Sequence, residues 1–428
     1  MKGTLLTPEL LVQNIKPIIE SCNLWQGKSL KVVVIANPTA GGFTQKKKSI
    51  ANALVLQAVA EKAAEIVKSG VKTTVLEIVL RKTEHAGHGI QFVNELLKEA
   101  AGSYSADGGS SSAGGDVAQK AATTQSSNGG NRDPAQNSGD YLIITAGGDG
   151  THLEVQTALL KAAFADAATK QLVTNKITVL RLPFGTGNDG SDGREFADTL
   201  RRLTEPSHFA LQKAVKVWYE GEHPNGESKR KVDTYDSLDV LPPWYAFNIA
   251  SIGIDAFVTY MTNRTKGVMP GDFYQMWVDL ACIFYGTKFP SKPMKITVFD
   301  KNGEVVDTVE SAVEFCLLGV SGHRTYGSNH KILPTDETFC TVKKMGLIKK
   351  LLQKNTFSDG THAGKPTTVL RTASKIRVDY NQDILVQMDG EVHLLQPAQY
   401  PLFMEHTEPV IRIIECNDAP YYKGADAI

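Results

Sequence analysis

The sequence predicts an α/β domain with a doubly wound, mostly parallel sheet, followed by a C-terminal antiparallel β-sandwich. Two observations predict it. In the first half, continuous apolar runs such as residues 31–36 alternate with amphipathic helical patterns, as in parallel strands joined by crossover helices. Beyond about residue 210, short alternating runs are separated by turns such as Asn225-Gly226 and Asp389-Gly390, which is typical of antiparallel strands.

The first domain is predicted to span residues 29–189. Its strands and helices alternate along the chain, with strands at 31–36, 71–79, 141–145 and 177–182 and helices at 46–69, 84–100 and 152–167. Residues 101–140 interrupt this order with Gly, Ser, Ala, Asn, Gln and Asp and almost no large apolar side chain. Such a composition cannot offset its ordering entropy, so we predict a disordered surface insertion.

The second domain is predicted to span residues 190–405. Its strands are expected at 214–219, 244–251, 295–298, 313–320, 375–378, 384–388 and 392–395, with helices near 270–286 and 345–353. Residues 406–428 form a C-terminal segment whose apolar run at 410–414 is a candidate to return to the first domain.

The composition excludes several classes of protein. Lys plus Arg and Asp plus Glu each number 46 in 428 residues, which argues against nucleic-acid binding driven by bulk charge. Five widely spaced cysteines without a Cys-x-x-Cys pair argue against a disulfide framework or zinc module and favour a reducing, cytoplasmic compartment. No apolar run reaches the roughly 20 residues of a membrane helix.

The most informative motif is Gly-Gly-Asp-Gly-Thr at residues 147–151, directly after the apolar strand 141–145. A strand, a glycine turn and a helix N-terminus together form a cradle for phosphate, because backbone N–H groups face the anion. Asp149 in the turn suits a magnesium ion on those phosphates. Alone, the motif also fits an ordinary tight turn.

Two further polar loops follow predicted strands of the same sheet. Residues 37–42 read Asn-Pro-Thr-Ala-Gly-Gly, and residues 182–189 read Leu-Pro-Phe-Gly-Thr-Gly-Asn-Asp. Ligands of open α/β sheets bind at the carboxyl ends of the strands. Three such loops at corresponding strand ends are hard to explain by packing alone, so we predict one ligand site built from all three.

A fourth motif lies in the second domain, where Asp389, Gly390 and Glu391 follow Gln387 and Met388. Asp-Gly between apolar strands is a strong hairpin signal. Two carboxylates also flank this turn, and transfer of phosphate to an alcohol needs a base for the hydroxyl proton.

Because these motifs follow one another along the chain as they do in that family, residues 31–395 resemble the diacylglycerol kinase catalytic domain family. That family includes bacterial diacylglycerol and phospholipid kinases and, more distantly, sphingosine and ceramide kinases. Residues 101–140 would be an insertion. The landmarks are Asn37-Pro38 with Gly41, Thr83 with His88, Gly147–Thr151 with Glu154, Gly185–Asp189, Asn248 with Ser251–Ala256, and Asp389–Glu391.

The resemblance implies an ATP-dependent lipid kinase with its active site in the cleft between the domains. The nucleotide site would be lined by Asn37, Pro38, Thr39, Ala40, Gly41, Thr83, Gly147, Gly148, Asp149, Gly150, Thr151, His152, Leu153, Gly185, Thr186 and Asn188.

The same resemblance implies roles for four carboxylates. Asp149 would act on Mg²⁺ through water and phosphates, Asp255 would approach the substrate head group, and either Asp389 or Glu391 would accept the proton. Residues 334–339 lack the Asp-Gly turn with which the family holds a structural magnesium ion, so no structural metal site is assigned.

Two other functions stay open. One is a kinase for a soluble acceptor such as NAD, because NAD kinases also carry Gly-Gly-Asp-Gly-Thr. The other is a non-catalytic nucleotide or lipid sensor on the same fold. The expected partners are a lipid substrate and a peripheral membrane surface at the inner membrane face, without nucleic acid, and neither the acceptor lipid nor the oligomeric state follows from the sequence.

Residues 343–354 form a basic, apolar stretch with two interpretations. We expect a helix that packs Leu347, Ile348, Leu351 and Leu352 on the sheet and leaves its lysines in solvent. The alternative is a helix that lies on an anionic membrane surface.

Overall fold

A computed structural model gives the structure of the chain. It describes residues 3–70, 73–107, 139–185, 187–222, 241–265, 274–327, 330–418 and 426–427. Within these ranges no helix is both long and apolar enough to cross a membrane.

The first part of the chain alternates strands and helices as the apolar runs predict. Its elements are α1 (Pro8–Glu20), β1 (Ser29–Ala36), α2 (Gly41–Thr44), α3 (Lys46–Lys68), β2 (Thr74–Lys82), α4 (His88–Asp107), β3 (Asp140–Gly147), α5 (Asp149–Ala165), α6 (Ala167–Lys176), β4 (Ile177–Pro183), α7 (Phe196–Thr204) and β5 (Ser207–Gln212).

The second part is mostly β-structure. Its elements are β6 (Val215–Tyr219), β7 (Trp244–Ala246), β8 (Ile249–Gly253), α8 (Ile254–Thr265), α9 (Tyr274–Lys288), β9 (Pro293–Phe299), β10 (Val305–Gly319), β11 (Arg324–Tyr326), β12 (His330–Leu333), β13 (Phe339–Lys343), α10 (Leu347–Gln353), α11 (Thr356–Asp359), β14 (Thr368–Arg371), β15 (Lys375–Asp379), β16 (Ile384–Met388), β17 (Glu391–Leu395), β18 (Leu402–His406), β19 (Ile411–Cys416) and β20 (Asp426–Ala427).

The first sheet has the strand order β2-β1-β3-β4-β19-β5-β20. The strands from β2 to β19 run parallel, and β5 runs antiparallel to β19. The strands β3 and β4 are buried along their whole length, because helices cover both faces of the sheet. The predicted doubly wound, mostly parallel sheet is confirmed.

The first sheet extends beyond residue 189, where the first domain is predicted to end. Strand β5 pairs with β19 in that sheet and helix α7 packs against β4 and β19, so the first domain continues to Gln212. Strand β19 lies in the C-terminal segment that is a candidate to return to the first domain, and it lies between β4 and β5. The second domain is therefore inserted, in sequence order, between two strands of the first.

The second domain is an antiparallel sheet of 11 strands folded on itself. The long strand β10 joins its two halves, since it pairs with β9 along residues 305–312 and with β8 and β13 along residues 313–319. Ile296 and Ile376 from one half pack in the same core as Ile252 and Val386 from the other. The predicted antiparallel sandwich is confirmed.

Two local expectations need correction. Helix α4 continues to Asp107, so the insertion predicted to begin at residue 101 begins later; residues 108–138 lie outside the described residues. Helix α10 does not pack Leu347, Ile348 and Leu352 on the sheet, because all three side chains are exposed.

Candidate active site

The three glycine loops converge at one edge of the first sheet and contact each other through their backbones. The N–H of Gly42 donates to the carbonyl of Phe184 at 2.8 Å, and the N–H of Asn37 donates to that of Ala146 at 2.9 Å. A Cβ built on Gly185 would lie only 2.6 Å from the Cα of Gly148. Glycine is therefore required where the second and third loops meet.

The N-terminus of helix α5 lies where the three glycine loops meet. Its N-cap is Gly148, which supplies no side-chain cap to the first turn, so the helix end has the donors that an anion needs. The Glu154 carboxylate accepts from the N–H groups of Gly87 and Gly89 at 2.9 and 3.1 Å. These bonds fix α5 against the segment between Thr83 and α4.

Two carboxylates face each other at the centre of the site. A Cβ built on Gly187 would lie 2.8 Å from Oδ2 of Asp149 and 3.3 Å from Oδ2 of Asp189. Asp149 accepts from the N–H of Gly190 at 3.0 Å. Asp189 accepts from the N–H of Gly327, in the second domain, at 2.9 Å. Burial and the neighbouring Asp149 raise the pKa of Asp189 well above its ordinary value.

Asn188 lies beside these carboxylates in a left-handed conformation, with φ of 58°. Its amide oxygen is buried and has no hydrogen-bond partner among the described residues. A buried acceptor without a partner is costly, so this oxygen is a candidate ligand for a group that binds between the loops. Thr186, also predicted for the site, lies outside the described residues.

The first loop presents hydroxyl and amide groups at the same edge. Asn37 Oδ1 accepts from the N–H and hydroxyl of Thr39 at 3.0 and 2.8 Å, and Thr83 N–H donates to the carbonyl of Ala36 at 2.8 Å. The Lys48 ammonium group donates to the carbonyl of Gly185 at 2.8 Å. Burial lowers the pKa of Lys48.

The remaining loop residues have distinct surroundings. Pro38 and Gly41 lie in the first loop, Gly147 ends β3, and Gly150 and Thr151 lie in the first turn of α5. The side chain of Ala40 is buried in the core beside them. Leu153 packs against the core under α5.

His152 lies beneath the loops and not against them. Its Nδ1 lies 2.7 Å from the Thr145 hydroxyl and its Nε2 3.3 Å from that of Ser191. Burial, followed by the charge of Arg181, lowers the pKa of His152 to about 3. The imidazole is therefore neutral and joins strand β3 to the segment that follows the third loop.

A buried ion pair supports the third loop from below. The Arg181 guanidinium donates to Asp192 at 2.5 Å, and the backbone N–H of Arg181 donates to the same carboxylate at 2.6 Å. Despite the opposing effect of burial, Arg181 and Arg202 lower the pKa of Asp192. The polar segment 190–195 is thus held to β4.

The second domain contributes the turn between β16 and β17. The Asp389 carboxylate accepts from three backbone N–H groups, those of Phe247, Asn248 and Ile249, with the last two at 3.1 and 3.0 Å. Burial raises the pKa of Asp389 to about 6, and these hydrogen bonds oppose the rise. Asp389 therefore ties the turn to the start of β8.

Glu391 faces the other side of the cleft. A Cβ built on Gly150 would lie 3.9 Å from Oε1 of Glu391, so this carboxylate lies beside the first turn of α5. The carbonyl of Gly390, within the same turn, accepts from the Asn263 amide at 2.7 Å. The structure thus brings Glu391 close to the glycine loops.

Asp255 is linked to this turn by a buried polar network. It accepts from the Ser251 hydroxyl at 2.5 Å and from the Gln387 amide at 3.3 Å. The amide oxygen of Gln387 accepts from the N–H of Gly390 and the hydroxyl of Tyr326, both at 3.1 Å. Burial raises the pKa of Asp255 to about 6, opposed by Ser251 and Gln387.

Asp255 also lines an apolar pocket of about 100 Å³ in the second domain. The pocket lies between α8, α9, α10 and the sheet, and it is lined by Ile254, Asp255, Val258, Val278, Cys282, Glu314, Phe315, Tyr326, His330, Ile332, Val342, Met345, Lys350, Lys354 and Phe357. Lys350 contacts Glu314 at 2.7 Å and Lys354 contacts Asp279, so the pocket lysines are already neutralised.

Asp189, Lys48 and Gln387 have no role predicted from the sequence, although Asp189 and Gln387 lie within its motifs. Asp189 directly follows Asn188 in the third loop, and Lys48 lies in the first turn of α3, after the first loop, so their positions could have indicated them. Gln387 gives little local signal, because its side-chain partners Tyr326 and Ser251 lie 61 and 136 positions away.

The fold is similar to solved structures of a diacylglycerol kinase and of proposed diacylglycerol kinases from Bacillus anthracis str. Sterne. Three such structures have 15%, 16% and 15% identity and TM-scores of 0.48, 0.49 and 0.48, and each match covers 90% of this chain and 96% of the other. No family model and no curated protein sequence matches the chain. At this identity the likeness transfers no activity to the chain.

Fold and site together define a two-domain protein in which three glycine-rich loops of the first domain face a carboxylate-bearing turn of the second.

Proposed function

We propose that the protein is an ATP-dependent lipid kinase that transfers the γ-phosphate of ATP to a lipid hydroxyl. The observation that carries this proposal is a juxtaposition across the cleft. The glycine loops with Asp149 and Asp189 lie on one side, and Glu391 lies on the other beside Gly150. This is the arrangement that phosphate transfer to an alcohol needs.

The residues at the loops fit Mg²⁺ carried on a nucleotide. Among the described residues, no group of three or more His, Cys, Asp or Glu side chains is arranged to hold a metal alone. Mg²⁺ is usually bound by one or two carboxylates together with substrate phosphates, and Asp149, Asp189 and the orphan oxygen of Asn188 supply such oxygens. When bound, the ion would neutralise charge on the phosphates.

The surroundings of the two turn carboxylates favour Glu391 over Asp389 as the proton acceptor. Asp389 uses both oxygens to accept backbone N–H groups, which is a structural task. Glu391 lies next to the helix N-terminus where the phosphate chain would rest. In this proposal, Glu391 accepts the hydroxyl proton while the N–H groups of the α5 first turn stabilise the transferred phosphate.

The pocket supports a lipid acceptor over a soluble one. Its lining is mostly aliphatic and aromatic, and Asp255 and Tyr326 are among its polar residues. A dinucleotide acceptor would need cations for its phosphates, but Lys350 and Lys354 are paired with Glu314 and Asp279. Gln387 connects Asp255 and Tyr326 to the turn that carries Glu391.

The test is phosphate transfer from γ-labelled ATP by the purified protein. The acceptors are diacylglycerol, a sphingoid base and phosphatidylglycerol in detergent micelles, with NAD as the soluble comparison. We expect at least one labelled lipid. Glu391→Gln should lower the rate by roughly 10²–10⁴-fold while nucleotide binding persists, and Glu310→Gln, on the exposed part of β10, should change little.

Two other results would exclude the proposal, and each would favour a different function. Phosphorylation of NAD without labelled lipid would favour the soluble-acceptor kinase. Nucleotide binding without any transfer, unchanged by Asp149→Asn or Glu391→Gln, would favour a sensor.

A further inference from the structure

Helices α9 and α10 carry five exposed apolar side chains. Ile283 and Phe284 on α9 are 46% and 53% exposed, and Leu347, Ile348 and Leu352 on α10 are 47%, 78% and 74% exposed. Single exposed apolar residues are ordinary on a protein surface, whereas clusters of them mark interaction sites. We call these five residues the α9–α10 patch.

Contacts at both ends show that the two helices lie side by side and antiparallel. Lys344, before α10, donates to the carbonyl of Ser291, beyond the end of α9, at 3.1 Å. Lys354, just after α10, contacts Asp279 within α9. The middle of α10 is therefore opposite the last turns of α9, and Ile283 lies on the same helix face as Asp279, one turn further on.

The charge around the α9–α10 patch is strongly positive although the whole chain is neutral. Residues 276–292 and 343–354 contain a single acidic residue, Asp279, which Lys354 already contacts. Besides Lys350 and Lys354, which are paired with Glu314 and Asp279, the same two segments contain Lys288, Lys292, Lys343, Lys344 and Lys349. Exposed apolar side chains flanked by lysines match the chemistry of an anionic bilayer surface.

The α9–α10 patch is also the outer surface of the pocket wall. Val278 and Cys282 of α9 line the pocket from one side, and Met345 and Phe357, which flank α10, line it from another. The pocket of about 100 Å³ is smaller than the roughly 150 Å³ cavity that accepts one benzene ring. A lipid tail would therefore need these helices to separate.

We propose that the α9–α10 patch is the docking surface for an anionic lipid bilayer, from which the pocket beneath takes its lipid. The choice of a bilayer as occupant rests on the charge of the two helices and on their position over the pocket. The second half of this proposal, the uptake of substrate, rests on the proposed lipid kinase function.

The experiment is co-sedimentation with phosphatidylcholine vesicles that contain or lack phosphatidylserine, without nucleotide or substrate. We expect the native chain to bind the phosphatidylserine vesicles and to bind the others more weakly. Ile348→Ser with Leu352→Ser, and separately Lys343→Glu with Lys349→Glu, should each weaken this binding about tenfold or more.

Matched changes elsewhere serve as controls. Leu54→Ser with Leu76→Ser alters two side chains that are 61% and 55% exposed outside the patch, and Lys62→Glu with Lys98→Glu alters two exposed lysines of the first domain. Both controls should bind vesicles as the native chain does. Equal loss in controls and patch variants would overturn the proposal, as would failure of the native chain to bind.

Two more measurements distinguish bilayer docking from catalysis and from self-association. Phosphate transfer to lipid in detergent micelles should be the same for the patch variants and the native chain, while transfer to lipid in vesicles falls with binding. Absence of any transfer with normal vesicle binding would exclude the kinase function and leave docking supported. Sedimentation that shows a native dimer and monomeric patch variants, without vesicle binding, would overturn docking in favour of self-association.

Discussion

The two sides of the cleft present different kinds of groups. The first-domain side presents backbone groups, from three loops that follow strands, a helix N-terminus and closely packed glycines. The second-domain side consists of buried side chains, in which Asp389, Gln387 and Asp255 depend on partners far away in sequence. A backbone site suits a ligand common to many proteins, whereas a side-chain site can be altered residue by residue to suit a particular acceptor.

The largest effect on the first-domain side is expected from Asp149→Asn. It removes one of two facing carboxylates while keeping a hydrogen-bond acceptor for Gly190. Phosphate transfer should fall by roughly 10²–10³-fold, as measured with saturating ATP. Asp166→Asn, which alters the exposed cap of α6, is the control, and equal rates in the two variants would contradict a role for Asp149.

On the second-domain side, Asp255 should make stability depend on pH. Its pKa is raised from 3.8 to about 6 in the folded chain, so the folded state holds this proton more tightly than the unfolded state. The unfolding free energy relative to Asp255→Asn should therefore fall by about 3 kcal/mol in all as pH rises from well below 4 to well above 6. Urea unfolding measures it, and a difference that rises with pH would contradict burial as the dominant cause.

Gly185→Ala tests the backbone contact between the loops. The new Cβ would lie 2.6 Å from Gly148, so the loops must separate. We expect a loss of about 1–3 kcal/mol in the free energy of unfolding together with weaker ATP binding. Gly102→Ala, in α4 with open space around it, should gain about 0.5–1 kcal/mol; similar behaviour of both variants would show that the contact is not required.

The smallest effect is expected from Gln387→Leu, which would leave the Asp255 network incomplete. We expect kcat/KM for lipid to fall about tenfold, the equivalent of roughly 1.4 kcal/mol, because Gln387 contacts both Asp255 and the turn that carries Glu391. ATP affinity should stay unchanged. Gln57→Leu, on the exposed face of α3, is the control for loss of an amide. Lower stability of Gln387→Leu with unchanged kcat/KM would show that Gln387 has only a structural role.

The same contrast between backbone and side-chain sites explains how much of the fold and of the candidate site could be predicted from the sequence. The first sheet and its loops follow from local signals, because an apolar run followed by Gly or Asn marks a strand end wherever it occurs. The structural role of Asp389 could not be predicted from such local signals, since the N–H groups that donate to it lie about 140 positions earlier in the chain. The orientation of α10 also escaped prediction, because helical periodicity defines an apolar face without showing whether anything covers it.

The position of β19 has a consequence for biosynthesis. This strand fills the place between β4 and β5 in the first sheet, yet it is made after the whole second domain. The sheet that holds the glycine loops therefore keeps a gap beside β4 until the second domain has been synthesised. Arg412 fixes this late strand to β3 and β4 by contacts to Asp140 at 3.1 Å and to Thr178 at 2.8 Å, so a chain stopped before residue 411 would lack the strand that joins β4 to β5.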